Sequence, residues 1–416
     1  MKKFVGYRCS LCGSEYAPKE AKYLCPKDNG VLDVLIDYPA IKKAIRPKDL
    51  QKSSDFSMWR YLPLFPVNDP GFVGTPLRAV GWTPIYSPPG LARQLNLRQL
   101  WIKDESSNPT ASFKDRASAL VLTRAAEIGA KVVVTASTGN AGAALAGMAA
   151  ATNATAVIFA PKSAPEAKVA QLLIYGARVL LVEGNYDDAV ALSQQASVEF
   201  GWYCRNTGYN PFTAEGKKSA AFEIWEQALL GSKIKKLLCV FVSVGDGNII
   251  SGIHKGFKDL LALGWIEQMP RLFGVQAEGS AAIANAFDAH IENIKAVKAN
   301  TLADSISVDM PGDGVRAVRA ATQTGGAYVK VSDAQILAAV VELGRVGIFA
   351  EPAGAASYAG LCVALNSGLI GTGDPVLVLN TGSGLKDVNA AKQAAGQAPV
   401  IQPSLAALKE AIEVLH

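Results

Sequence analysis

The sequence predicts an α/β protein of two doubly wound domains with a cleft between them, preceded by a small zinc-ribbon-like module. Three observations carry this expectation. From Leu100 onward, short β-branched runs alternate with stretches of helical period, the pattern of parallel strands covered by helices on both faces. The chain has 416 residues, half of them hydrophobic, which is more than one core usually fills and leaves room for an interdomain cleft. Three of its six cysteines fall within the first 25 positions, which sets the start apart.

Residues 1–55 form the N-terminal module. Cys9-Ser-Leu-Cys12 and Cys25-Pro-Lys-Asp28 have the spacing of two zinc knuckles, with Asp28 where a second pair would place its last cysteine. Either Asp28 completes a Cys3Asp site or the module folds by packing alone. Because a carboxylate is a harder ligand than a thiolate, the metal candidates Cys9, Cys12 and Cys25 are expected to hold zinc weakly or not at all, in an appendage outside the chemistry. Residues 56–95 are rich in proline and aromatics, which suits an irregular segment packed over a domain surface.

Beyond it, Val132–Ala136, Ala156–Ala160, Arg178–Val182 and Leu237–Val244 read as buried strands, and Arg271–Gln276 and Pro375–Asn380 as later ones. Helical spacing runs through Ala117–Ile128, Pro165–Tyr175 and Tyr186–Phe200, and Ser332 with Gln335 makes a capping box for a helix over Asp333–Arg345. The expected partition is a larger domain from residues 56–114 and 206–416, and a smaller mobile one from residues 115–205.

Composition narrows the function. A net charge of +5, with no long basic run, argues against nucleic acid and anionic membranes as partners. The apolar runs at Leu237–Val244 and Gln335–Val341 are far shorter than the roughly 18 residues of a membrane span. The opening Met-Lys-Lys-Phe-Val has no apolar core or cleavage site of a secretory signal, and six cysteines make no disulfide framework, so a cytoplasmic location is expected.

Ligands of open α/β sheets collect at the carboxyl ends of strands, which directs attention to four loops. Ser106–Arg116 runs straight into a helix that begins at Lys114, where the helix dipole disfavours a cation and favours a neutral amine. Ser137-Thr138-Gly139-Asn140 follows a strand and opens a helix of alanine and glycine, so its amides and hydroxyls suit a carboxylate. Val244-Gly245-Asp246-Gly247-Asn248-Ile249 can cradle a phosphate on successive amides, with Asp246 expected to point outward. It lacks the GxGxxG spacing of a dinucleotide loop, and Pro270 and Arg271 stand where an acidic residue would be needed. In Asn380-Thr381-Gly382-Ser383-Gly384-Leu385-Lys386, a hydroxyl could face a pyridine nitrogen.

Taken in series, SFKD, STGNAG, GDGN and TGSGLKD resemble the threonine synthase branch of the fold-type II pyridoxal-phosphate enzymes, relatives of the tryptophan synthase β subunit and of the serine and threonine dehydratases. The resemblance runs from about Gly74 to Lys392, and the ribbon-like start is similar to the head of many threonine synthases. It implies pyridoxal 5'-phosphate as cofactor, carried covalently on Lys114 beside Phe113. Asn140 would bond its 3-hydroxyl, Gly245, Asp246, Gly247, Asn248 and Ile249 its phosphate, and Thr381 would face its ring nitrogen. Ser137, Thr138 and Gly139 would hold the substrate carboxylate, and Glu351-Pro352-Ala353-Gly354 would line the cofactor side of the cleft.

The implied activity is that of a lyase converting O-phosphohomoserine and water to L-threonine and phosphate, by γ-elimination and addition of water at the β carbon. An amino-acid substrate is the expected partner, with a homodimer left open. One departure stands out. Members of this branch often carry an arginine after an Asn-Pro-aromatic triplet to take the substrate phosphate, whereas Asn210-Pro211-Phe212 is followed by Thr213. Arg116, Arg205, Asn206 and Thr207 are the candidate replacements. The alternatives are a dehydratase or β-replacement enzyme acting on serine, threonine or an activated serine, and a non-catalytic cofactor-binding regulator.

Overall fold

The structure, a computed structural model, describes residues 3–232 and 234–415. The first strands, β1 (Phe4–Cys9), β2 (Glu15–Tyr16) and β3 (Leu32–Ile36), form a small antiparallel sheet in the order β2-β1-β3. Next come β4 (Ile85–Tyr86) and β5 (Leu100–Asp104), which belong to the large sheet. The small parallel sheet is made by β6 (Val132–Ala136), β7 (Thr155–Pro161), β8 (Arg178–Val182) and β9 (Tyr203–Cys204), ordered β8-β7-β6-β9. The chain then returns to the large sheet with β10 (Cys239–Ser243), β11 (Arg271–Ala277), β12 (Ala327–Val331) and β13 (Val376–Asn380), in the order β12-β11-β10-β13-β5-β4. All its pairings are parallel except β4 against β5. Among the described residues no helix is long and apolar enough to cross a membrane.

Strand type follows from position. The central strand β10, Cys-Val-Phe-Val-Ser, is buried at every residue, as a parallel strand covered on both faces must be. Arg178–Val182 is a strand too, but not a buried one: β8 pairs only with β7, and Leu180 and Leu181 are about half exposed at the sheet edge. A run of apolar residues does not distinguish an edge from a centre, because that depends on which neighbours arrive. The capping box forms as expected, Ser332 Oγ accepting from the Gln335 N–H and Gln335 Oε1 from the Ser332 N–H. Residues 56–95 hold two 3-10 turns, the short edge strand β4 and a six-residue helix, with Trp59, Tyr61 and Phe65 turned inward.

The N-terminal module is not a loose appendage. Tyr7, Tyr23, Leu32 and Val34 join the same apolar core as the small sheet. The Tyr23 ring stacks on Tyr209 at 4.5 Å, and its hydroxyl accepts the Cys204 N–H at 2.8 Å, at the end of β9. Arg316 joins Asp33 of β3 to Asp313, both at 2.6 Å.

A buried ionic frame holds the start of the Lys114–Glu127 helix to the large sheet. Arg116 has no exposed surface, and its guanidinium is spent on Glu105 and Glu223, with Ser219 and Thr83 taking the remaining N–H groups. Lys103 of β5 pairs with Glu223 from the other side at 2.8 Å. This corrects the expectation that Arg116 binds substrate: no donor is left over, and the two carboxylates could not stay ionised in the interior without it. Glu223 is accordingly held down to about 2, its burial outweighed by Arg116 and Lys103. Replacing Arg116 with Met should therefore cost about 3–5 kcal/mol of stability, the typical cost of stranding one side of a buried pair. Urea unfolding of the two proteins checks this. A loss of substrate affinity at unchanged stability would return Arg116 to the site.

Candidate functional site

Strands β5, β6, β10 and β13 all end at one cleft, so the four polar loops picked out by sequence meet there. An inner cavity is lined by Phe113, Lys114, Asn140, Ser243 to Gly247, Ile249, Ser305, Ile306, Glu351, Ala353 and Thr381. Asn140, Ser305, Glu351 and Ala353 also line a wider outer chamber, to which Thr138, Gly139, Lys168, Asp304 and Lys386 contribute.

Lys114 is fixed by the loop after β13. The Phe113 N–H donates to the Thr381 carbonyl at 2.9 Å and the Ser383 N–H to the Ala111 carbonyl at 3.1 Å, so the two loops are zipped together on either side of Ser112. Ala111 takes a positive φ of 62° at this crossing, a cost the paired loops impose. Burial pushes the Lys114 amine below its ordinary range; Asp246 and Glu351 oppose that shift and Arg205 adds to it.

The glycine loop after β10 closes onto the helix Asn248–Leu263. Gly247 has φ 92°, and a Cβ there would stand 2.7 Å from the Asp313 carbonyl, so no other residue lets the loop turn this tightly. A Cβ on Gly245 would likewise approach the Ile306 backbone to 2.9 Å. Asp246 departs from its expected outward aim. Its carboxylate folds back to accept the Asn248 N–H at 3.2 Å and is the anion nearest in effect to Lys114, Arg205 and Lys217.

Asn140, at the head of the Asn140–Ala150 helix, donates to both oxygens of Glu351 at 2.8 and 3.1 Å across the cleft. Glu351 is deep enough that burial raises its carboxyl above the usual range, with Asn140 and nearby lysines pulling it back. Thr138 and Gly139 face the outer chamber. Ser137 sits at the sheet edge of the same loop, its N–H on the Phe159 carbonyl. Thr381 is buried against the inner cavity.

The candidate replacements for the missing arginine separate clearly. Asn206 is consumed by the small sheet, accepting from Thr135 Oγ1 and the Ala136 N–H and donating to Ser193. Its carbonyl oxygen is spent and one amide N–H is taken, which ties the side chain into the sheet and leaves a single N–H. Thr207 accepts from Arg205 Nη1 at 3.0 Å, which steadies that arginine. Arg205 is wholly buried, keeps Nη2 without a partner, and is lowered to about 10 by burial, Asp246 working against the shift. Thr213 lies behind the glycine loop, donating to Asn248 Oδ1, and Lys217 donates to the same oxygen at 2.7 Å. Burial, with Lys114 nearby, holds Lys217 well below its ordinary range.

Sequence reasoning passed over Lys217, Ser243, Glu351 as a side chain, and Lys386. Two signals could have found some of them. Ala214–Ala221 carries Glu215, Lys217 and Lys218 on a helix otherwise built of small residues, and such charges belong in an interior only if paired. Arg205 directly follows β9, at the carboxyl end of a parallel strand.

The site fits pyridoxal phosphate. An interior lysine amine opens on the cavity, the glycine loop leaves a cradle at a helix start that a Cβ would fill, and Ser243 Oγ and Arg205 Nη2 are buried polar atoms without a partner among the described residues. The Cys9, Cys12, Cys25 and Asp28 side chains come together in the N-terminal module, far along the chain from these loops.

Residues 77–382 match the family of pyridoxal-phosphate dependent enzymes. The chain is 36% identical to threonine synthase of Methanocaldococcus jannaschii over 98% of its own length and 99% of that protein's. It is also 36% identical to threonine synthase of Methanosarcina acetivorans, over 97% and 98%. Among solved structures, threonine deaminase isoform 2 of Solanum lycopersicum superposes with a TM-score of 0.66 at 22% identity, covering 78% of this chain and 86% of that one. Maize serine racemase superposes with a TM-score of 0.64 at 21% identity, covering 80% and 94%, and these two likenesses speak to the fold alone. The chain belongs to the threonine synthase family of pyridoxal-phosphate dependent enzymes.

Proposed function

We propose that this chain converts O-phosphohomoserine and water to L-threonine and phosphate, with Lys114 as the residue that carries the cofactor and moves protons. The observation that carries the reading is unspent positive charge: Arg205 and Lys217 are wholly buried and Lys114 opens on the inner cavity, none of the three makes an ion pair among the described residues, Arg205 Nη2 has no partner, and Asp246 is the one anion that acts on all three. Such a set calls for further anions, and a phosphorylated cofactor with a phosphorylated substrate supplies them.

When bound, pyridoxal phosphate supplies an electron sink for negative charge at the substrate carbons. The chain supplies the rest. Lys114 Nζ, which burial shifts toward the neutral amine, would take the α proton and return a proton on the same face. Gly245 to Ile249 hold the cofactor phosphate on loop amides, with Lys217 behind them through Asn248. Asn140 would bond the cofactor's 3-hydroxyl, and its bond to Glu351 sets the direction in which its amide points. The Thr381 hydroxyl would hold the ring nitrogen. Ser137, Thr138 and Gly139 hold the substrate carboxylate at the helix start, and Arg205 Nη2 meets the substrate phosphate, helping it leave from the γ carbon.

The Asn140 and Lys168 contacts to Glu351 and Asp304 bridge residues 115–205 and the rest of the chain. They support closure of that smaller part over the substrate, which would exclude all but the water that adds at the β carbon. Cofactor-only and analogue-bound crystals should differ by more than about 1 Å in the Ser137–Asn140 loop after the large sheets are superposed; a smaller shift means a rigid site.

Phosphate, ammonia and threonine measured together on O-phosphohomoserine test the reaction. Equal phosphate and threonine are expected, whereas phosphate with ammonia in place of threonine, or ammonia from serine or threonine alone, supports a dehydratase, and no product supports a non-catalytic role. Lys114→Ala should lose the absorbance near about 410–430 nm of a cofactor bonded to a lysine amine, and an undiminished band would rule Lys114 out. Arg205→Met should raise KM for O-phosphohomoserine by about 10- to 100-fold with that band kept, since one charged partner of a phosphate is removed. An unchanged KM would place the substrate phosphate elsewhere.

A further inference from the structure

The structure assigns a closed, four-ligand divalent-metal site to Cys9, Cys12, Cys25 and Asp28 of the N-terminal module. Their ligand atoms all lie within 4.8 Å of one another, although the four residues are spread over twenty positions. Two opposite edges of the cluster match those of a coordination tetrahedron. With metal–sulfur bonds of about 2.3 Å and metal–oxygen bonds of about 2.0–2.2 Å, sulfur–sulfur edges come to about 3.8 Å and sulfur–oxygen edges to about 3.5 Å. Cys12 Sγ and Cys25 Sγ are 3.8 Å apart, and Cys9 Sγ stands 3.3 and 3.6 Å from the two Asp28 oxygens. A disulfide would need about 2.05 Å between sulfurs, so the cysteines are spaced for a shared ion rather than for each other.

The surroundings are arranged for the ligands. The Leu11 N–H points at Cys9 Sγ at 3.3 Å and the Tyr16 hydroxyl lies 3.1 Å from Cys25 Sγ, contacts that orient thiolates and spread their charge. The Gly30 N–H donates to Asp28 Oδ1 at 2.8 Å, which turns the carboxylate inward. A Cβ at Gly30 would fall 2.7 Å from Cys9 Sγ and 2.9 Å from Asp28 Oδ1, so only glycine leaves room for this approach. The weak or absent zinc expected from the sequence rested on Asp28 being a poor substitute for a thiolate. The folded module shows it already positioned, and carboxylate is an ordinary ligand of zinc.

Three soft sulfurs, one oxygen and no position left open suit zinc in a structural role, not a catalytic one. Its place gives that role content. The Ser10 carbonyl, in the first knuckle, accepts from Arg319, and Asp33 pairs with Arg316 on the same helix, Gly314–Thr322. That helix follows Asp313, whose carboxylate receives the Asn248 amide at the glycine loop.

Elemental analysis of the full-length, cofactor-loaded chain purified under reducing conditions with zinc in the medium should find about one zinc per chain, as a four-ligand structural site would hold. Cys12→Ser should lose it, and Asp28→Ala should weaken retention against a chelator by at least about 10-fold. Cobalt(II) in place of zinc should give the strong red visible bands of a tetrahedral thiolate site, clear of the cofactor's absorbance, and Asp28→Cys should keep and shift them. Should Cys12→Ser fail to fold, release of the wild-type metal by a mercurial thiol reagent serves the same purpose. A chain free of metal, with its three thiols titrating freely or Cys12 and Cys25 joined in a disulfide, overturns the assignment, as does full zinc retention in Cys12→Ser or through mercurial treatment.

Discussion

The arrangement of the cleft turns on placing several positive charges where water is scarce. Lys114, Arg205 and Lys217 come from the start of one helix, the end of β9 and the last position of the Phe212–Lys217 helix, and Asp246 is the anion that acts on all three. Burial lowers all three, so each is poised to gain from an arriving anion, and Arg205 keeps an N–H pair unused. Parallel sheets bring the loops to one end, but this charge imbalance is what gives the end a chemical preference.

Holding such a cluster needs a frame that does not itself bind ligand. The Lys103, Glu105, Arg116 and Glu223 network satisfies its own charges and anchors the helix that begins at Lys114. The zipped loops at Ala111–Phe113 and Thr381–Ser383 set that helix start against β13. Arg116 is thus two residues from Lys114 and yet belongs wholly to the frame. Two residues along a helix turn a side chain about 200° round the axis, to the opposite face.

The N-terminal module shares in this support. Its tyrosines pack on the end of β9, next to Arg205, and its acidic and carbonyl groups hold the Gly314–Thr322 helix. From there a chain of buried polar contacts, Arg316 to Asp313 to Asn248, reaches the glycine loop. The module is small, but it touches both sides of the cleft.

By itself the sequence determined the alternation of strand and helix, the four loops at strand ends, the knuckle spacing, the capping box at Ser332 and the family, because these are local patterns of residue type and spacing. It could not determine which charges would be spent on one another. Arg116 and Asn206 carry donors as suitable as those of Arg205, and only the fold shows that Arg116 is fully paired and Asn206 tied into the small sheet while Arg205 keeps Nη2 without a partner. Nor could it bring Asp28 to three sulfurs, aim Asp246 back into its own loop, or leave β8 at an edge, since each depends on partners distant along the chain. Pairing, burial and the free donors that remain are properties of three-dimensional neighbourhood, and in this protein they are what separates a fully paired arginine from one that keeps a free donor.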